Sequence, residues 1–280
     1  MYRLARQTLR RVMQKVGRRW PDQALLDELE MLRSRVDGLR VVRNGAEQDG
    51  EFTCLLPTTL EERRLYQSRF NMAWVDELRL SPKVVLDVGA YDGGDSIRFK
   101  YRFPDARVIA FEADPERYAV VAGNVEPFGI ACVNAAVCDR DGPVPWYKAY
   151  DGHAEGRTGA QGSMYRHSPQ YERRYDFVRQ SPTPTAVDGL RIDTFCRKSA
   201  IDDIDVLHID AEGAEYEVIA GLGALLPKMI YVEAVPFDAW VGARQSRELH
   251  VRVSCMGYLL AAELINDRLY VRADLARSLL

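Results

Sequence analysis

Val84-Val85-Leu86-Asp87-Val88-Gly89-Ala90-Tyr91-Asp92-Gly93-Gly94 decides the fold. The apolar run up to Val88, broken only by Asp87, reads as a strand buried on both faces, spanning residues 83–88. Gly89 then permits a tight turn and a close backbone approach to a ligand. A helix beginning at residue 95 turns its free N–H groups toward the same place. This turn is not the dinucleotide fingerprint, because that pattern needs glycine at position 91, where Tyr91 stands.

Short apolar runs alternate with helical stretches on the C-terminal side of this turn, the mark of a parallel α/β sheet. Strands are predicted at residues 107–111, 130–137, 204–209 and 229–234, and helices at 95–102, 115–125 and 212–222. Residues 257–262 and 268–272 read as a hairpin turning around Asn266-Asp267. The fold class is therefore α/β: a doubly wound, mostly parallel sheet ending in an antiparallel hairpin. One segment, 142–186, breaks the rhythm and reads as a long loop rich in Gly, Ser, Thr and Pro. Its aromatic and basic side chains make it a candidate substrate lid. Candidate acceptor-binding residues there are His153, Tyr165, Arg166, His167, Tyr171 and Arg173; Arg157 and Arg174 are further bases, and Arg166, Arg173 or Arg174 would hold an anionic acceptor such as a nucleotide sugar.

On the N-terminal side, residues 41–82 read as a helical connector and residues 1–40 as two helices. The first carries seven bases and no acid within residues 1–20, which leaves the remaining 260 residues with a net charge of −10. That acidic body argues against a nucleic-acid scaffold. The second helix repeats Leu25, Leu29, Leu32, Val36 and Leu39, a seam about two heptads long. Its expected roles are homodimerisation or packing on the core, with the basic helix touching an anionic membrane surface. No apolar run approaches the length of a membrane span. Five scattered cysteines without a C-x-x-C pair fit a reducing compartment, so a cytoplasmic protein, at most peripheral to the inner face of a membrane, is expected.

The ligand is read from two strand ends. Glu112 follows the second strand, twenty-three residues after Gly89, where a carboxylate can take both hydroxyls of a ribose. A glycine turn with acids around it suits a cation better than a pyrophosphate, and the combination suggests S-adenosylmethionine. Asp87-Val88-Gly89-Ala90, Phe111-Glu112, Asn134-Ala135-Ala136, Ile192-Asp193-Thr194-Phe195 and His208-Ile209-Asp210-Ala211-Glu212-Gly213 follow in order. Together they resemble the FkbM family of S-adenosylmethionine-dependent methyltransferases, over about residues 84–234. That resemblance implies a class I methyltransferase fold and methylation of a hydroxyl on a saccharide, polyketide or other secondary metabolite. The family commonly has asparagine where Tyr91 stands and lysine where His208 stands.

Asp87, Gly89, Ala90, Tyr91, Gly93, Ser96, Glu112, Ala113, Asn134, Ala135 and Asp210 are the cofactor-binding candidates. Asp210, His208 and Glu212 are the catalytic candidates, because an alcohol needs help to lose its proton near neutral pH. Asp210 and Glu212 also suit the N-terminus of the following helix, and Glu215 and Glu217 read as charges on that helix's face. If a divalent metal takes part, Asp210 and Glu233 are its expected ligands. Two other readings of the chain are a non-catalytic glycan- or partner-binding protein and an NAD-linked oxidoreductase, the second disfavoured by Tyr91.

Overall fold

The computed structural model describes residues 80–151, 159–235, 237–263 and 266–277. The expectations for residues 1–40, nearly all of the 41–82 connector, His153 and Arg157 lie outside them. Among the described residues no helix is long and apolar enough to cross a membrane.

The chain enters the sheet at β1 (Val84–Val88), passes through α1 (Gly94–Arg102) to β2 (Arg107–Glu112), then α2 (Pro115–Val125) to β3 (Ala131–Asn134). Pro115 occupies the first turn of α2, and the Asp114 side chain caps it by accepting from the Glu116 amide at 2.8 Å. A run predicted as a single strand, 130–137, is instead broken. The Asn134 side chain donates to the Glu112 carbonyl at 2.8 Å, and the Ala135 amide donates to the same carbonyl. That bend sends β4 (Ala136–Val137) out of the main sheet.

The predicted long loop is largely β structure where it is described. It builds β5 (Gly142–Trp146), β6 (Ala149–Asp151), β7 (Arg166–His167), α3 (Pro169–Arg174), β8 (Val178–Gln180) and β9 (Thr185–Leu190). β4, β9 and β5 form a three-stranded sheet, and β6 pairs with β8.

The main sheet resumes after α4 (Ile192–Lys198) with β10 (Val206–Ile209), α5 (Glu215–Ala220) and β11 (Met229–Glu233). β12 (Trp240–Val241) pairs with β7, and α6 (Ser246–Cys255) leads to β13 (Tyr258–Glu263), β14 (Asp267–Arg272) and α7 (Ala273–Arg277). Asp267 therefore opens a strand rather than the predicted turn. The strand order is β3-β2-β1-β10-β11-β14-β13, with five parallel strands and an antiparallel hairpin at one edge. This is the doubly wound, mostly parallel sheet with an edge hairpin that the sequence predicts. Its order reverses between β1 and β10, where α/β sheets place their ligands.

Core packing explains why these runs pair. Leu86, Ile109, Leu207 and Ile230 occupy one row across four neighbouring strands, each wholly buried. Burial of each contributes roughly 1.5–3 kcal/mol. The next row is different: Asp87, His208 and Tyr231 stand side by side across β1, β10 and β11. A polar row in an apolar sheet costs stability unless its groups are bonded.

Candidate active site

A cavity of about 400 Å³ opens beyond the carboxyl ends of β1, β2, β10 and β11. Its wall combines the β1–α1 turn, the end of β2, the turn after β10 and the start of β14. The segment between β5 and β8 closes it with Trp146, Met164, Tyr171, Tyr175 and Phe177.

Glu112 is fixed at one end. Its Oε2 accepts from the Tyr91 amide at 3.0 Å and its Oε1 from the Asp114 amide at 2.9 Å. Burial raises its carboxyl to about 7, against the pull of those two N–H groups. Each oxygen keeps a lone pair for a further donor. Tyr91 adopts a left-handed φ of 53° to present its amide, and the Arg117 guanidinium lies 4.1 Å from the centre of its ring.

At the other end the chain crosses itself closely. Gly89 has φ +83°, and a Cβ built there would lie 1.7 Å from the Asp210 carbonyl oxygen. The turn after β10 also needs left-handed backbone, at Glu212 (φ 47°) and Gly213 (φ 101°). A Cβ on Gly213 would strike the Trp240 ring. That turn delays α5, which begins at Glu215 rather than at the predicted residue 212. Asp210 and Glu212 do not cap it: the N-cap is Ala214, without a side-chain bond. Glu215 and Glu217 are buried rather than displayed on the helix face. Glu215 Oε1 accepts from the Ala211 and Gly213 amides, which holds the turn in shape. Ser163 adds a bond from its hydroxyl to the Glu212 carbonyl at 2.6 Å.

Asp210, Glu212 and Glu233 consequently converge, with an oxygen of each within 4.8 Å of the other two. Glu233 Oε2 is buried without a hydrogen-bond partner. Burial and the neighbouring acids hold Glu212 and Glu233 well above the usual carboxylate range. Asp210 is open to the cavity solvent, yet enclosure by protein raises its carboxyl to about 6, with the His208 charge pulling the other way. Three hard oxygen donors at this spacing are also a donor set that suits a divalent cation. Glu212 joins the expected Asp210 and Glu233 in it.

Beneath this cluster, Asp87 is wholly buried and bonded on each side. Its Oδ2 accepts from the Ser96 hydroxyl at 2.5 Å, and its Oδ1 meets His208 Nδ1 at 2.8 Å. Burial alone would lower the His208 pKa, but the bond from Asp87 and the surrounding carboxylates overcome it and raise the imidazole to about 9. The ring also stacks on Tyr231, centroids 5.6 Å apart. His208 itself lines the cavity.

Of the candidate residues, Gly89, Ala90, Tyr91, Glu112, Ala113, Ala135, His208, Asp210, Glu212 and Tyr171 line one cavity. Asp87, Gly93, Ser96 and Asn134 stand behind it: Asp87 bonds His208, Gly93 donates to the Ala90 carbonyl, Asn134 donates to the Glu112 carbonyl, and Ser96 bonds Asp87. Tyr165, Arg166, His167 and Arg173 do not line it. Arg166 donates to the Pro182 carbonyl at 2.7 Å, and the His167 ring stacks against Tyr171 at 4.2 Å. Trp146, Met164, Phe237 and Trp240 were not expected there. The density of aromatic residues in 142–186 signalled the first of these, whereas nothing in the sequence marks Trp240 before the Gly213 turn is seen.

Residues 87–259 match the family described as Methyltransferase FkbM domain. The chain is 31% identical over 153 residues to the 2-O-methyltransferase NoeI of Sinorhizobium fredii, covering 54% of this chain and 62% of that protein. It is 24% identical over 148 residues to Methyltransferase 1 of Beauveria bassiana, covering 49% and 57%. The matched stretch thus spans less than two thirds of either relative. Among solved structures, precorrin-6y C5,15-methyltransferase from Geobacter metallireducens aligns at 15% identity with a TM-score of 0.40. That alignment covers 75% of this chain and 89% of the other.

Proposed function

The chain belongs to the FkbM family of S-adenosylmethionine-dependent methyltransferases, and from that premise we propose that it methylates a hydroxyl oxygen of a saccharide or a related hydroxylated metabolite. The observation that supports this reading is a single cavity with two acidic ends: Glu112, and the cluster of Asp210, Glu212 and Glu233.

The residues at the first end fit the cofactor. Glu112 is held by two amides in a position to accept both hydroxyls of a ribose, and Gly89 keeps the adjacent backbone free of a side chain. When bound, S-adenosylmethionine supplies a methyl carbon made electrophilic by a positively charged sulfur. The chain's own work is then to align an acceptor oxygen with that carbon, at about 3–3.5 Å, and to take its proton.

Asp210 suits the second task. A carboxyl poised near 6 is mainly ionised at neutral pH, yet basic enough to share a hydroxyl proton as the oxygen becomes bonded. His208, one wall away, offsets the charge that accumulates among the acids. Tyr171, Phe237 and Trp240 line the cavity, and aromatic rings suit the C–H face of a sugar. A relative named as a 2-O-methyltransferase favours oxygen as the acceptor atom.

Calorimetry with S-adenosylmethionine and with NAD tests the cofactor, and only the first should bind. Radiolabelled methyl transfer to a panel of glycosides and polyketides tests the acceptor. Asp210→Asn should lower kcat about a hundredfold or more while changing cofactor affinity less than threefold. Equal losses in the two quantities would make Asp210 a cofactor-positioning residue and remove it as the proton acceptor.

A further inference from the structure

A line of aromatic rings runs from the reacting end of the cavity to its mouth. It starts at Trp240, whose ring leaves no room for a side chain on Gly213, in the turn that carries Asp210 and Glu212. Tyr171 follows, with its ring centre 6.0 Å from that of Trp240. Tyr175 stands 4.8 Å beyond Tyr171, and Phe177 a further 6.1 Å beyond Tyr175. All four line the cavity. Exposure rises along the lid part of this line, from 5% at Tyr171 to 39% at Phe177.

Local sequence builds this wall. The Ser168 hydroxyl accepts from the Gln170 and Tyr171 amides and so starts α3, with Pro169 in its first turn. Tyr171 and Tyr175, at the helix and its C-cap, are four residues apart and so fall on one side. A turn closed by the Val178 amide on the Tyr175 carbonyl, at 3.0 Å, then carries Phe177 past the helix end. Phe237, after β11, lines the same cavity. The Arg174 guanidinium ties it to the lid, 5.1 Å from the Phe237 ring centre and 5.9 Å from that of Tyr175.

A cavity of about 400 Å³ is near the lower end of the range that encloses one drug-sized ligand. With S-adenosylmethionine in it, the acceptor brings one ring to the methyl group and leaves the rest of itself along the outer aromatic rings. We propose that Tyr175 and Phe177 form a subsite for a second sugar ring, so that the acceptor is an oligosaccharide rather than a single sugar. This rests on the saccharide methyltransferase reading above. Neighbouring rings are tilted by 49° at Tyr171–Tyr175 and by 87° at Tyr175–Phe177. A flat nucleobase stacks on parallel faces, whereas a puckered sugar carries C–H groups on faces and edges and meets tilted rings. An alkyl chain gains most from a dry wall, and Phe177 is too exposed to give one. The methylation then follows the glycosyl transfer that joins the two rings.

The test compares radiolabelled methyl transfer to methyl glucoside and methyl galactoside with transfer to the methyl glycosides of maltose, cellobiose and lactose, which carry the same hexoses on a second ring. At least one disaccharide should exceed its single-ring partner about tenfold or more in kcat/KM. Phe177→Ala, checked for native folding by circular dichroism and for S-adenosylmethionine binding, should shrink that ratio roughly fivefold or more. Equal use of one ring and two, or a ratio that survives the substitution, would overturn the proposal. A uridine diphosphate hexose used better than every disaccharide would place a nucleobase on the outer rings and overturn it as well. If no saccharide is methylated, the saccharide reading fails, and the subsite is decided by binding alone. Saturation-transfer NMR of the same disaccharides, with S-adenosylhomocysteine present, should then give a signal that falls about threefold or more in Phe177→Ala. Equal signals in the two proteins, or none in either, would overturn the subsite itself.

Discussion

The Asp87 carboxylate and the His208 imidazole, 121 residues apart in the chain, meet at 2.8 Å beneath the floor of the cavity. They are register partners on neighbouring parallel strands, so the sheet itself delivers the contact. With Ser96 bonded to the other oxygen, Asp87 has its acceptor capacity directed at two fixed donors. The arrangement holds a positive charge next to Asp210, where a mainly acidic cavity needs one.

His208 is therefore expected to stay protonated through pH 8. In NMR titrations of the four histidines, the signal lost in His208→Gln should titrate near 9, and Asp87→Asn should bring it below 7. A folded-state pKa raised from 6.5 to about 9 stabilises the protein fully below 6.5, and the effect is lost as pH rises through 9. Asp87→Asn should accordingly cost on the order of 3 kcal/mol at pH 6 and much less at pH 10. A penalty independent of pH would show that the pair acts only through packing.

Glu112 follows the same direction in a lower pH window. Its folded-state value near 7 against an ordinary 4.5 means that the empty protein keeps a proton which the unfolded chain gives up between those values. Its contribution to stability falls as pH rises through that window, by on the order of 3 kcal/mol. Ribose hydroxyls favour the ionised form, so cofactor binding should release a proton near pH 7. Calorimetry in buffers of different ionisation enthalpy reads that release directly. Absence of proton release at pH 7, with its appearance only near pH 4.5, would contradict the buried environment of this carboxylate.

Gly89→Ala should be among the most damaging single substitutions in the described part of the chain. The new methyl would overlap the Asp210 carbonyl, and its residue would be held at φ +83°. A loss of roughly 3 kcal/mol or more is expected from denaturant midpoints. Gly142→Ala shares the positive φ but has open space around it, and should cost less.

Proton acceptance by Asp210 predicts that dialysis against EDTA leaves turnover intact, because His208 already offsets part of the cluster's charge. Loss of activity on chelation with recovery in Mg²⁺ would instead make Asp210, Glu212 and Glu233 metal ligands.

The parallel strands were legible because Val, Ile and Leu runs buried on both faces have few other uses. Helix α2 was legible to its ends through Asp114-Pro115. The place of Glu112 in the cavity was readable from its position alone, since a carboxylate at the end of the second strand faces the space beyond the sheet. The turn from Asp210 to Gly213 was not. Continuous helix pattern across 212–222 hides the left-handed Glu212, whose conformation depends on Glu215, Ser163 and Trp240 arriving from elsewhere. The burial of Glu215 and Glu217 was hidden for the same reason. Within 142–186, strands of two to six residues exist through pairing with distant partners, such as Trp240 opposite His167, and leave little local pattern.

The measurement that bears most directly on the cavity as the cofactor site is calorimetric affinity for S-adenosylmethionine in the wild-type chain and in Glu112→Ala. Loss of the carboxylate should weaken binding by about 1–3 kcal/mol, roughly 5- to 150-fold, in a variant whose circular dichroism and melting remain native. Unchanged affinity in that folded variant would mean that the ribose is held elsewhere and that the two ends of this cavity have been wrongly assigned.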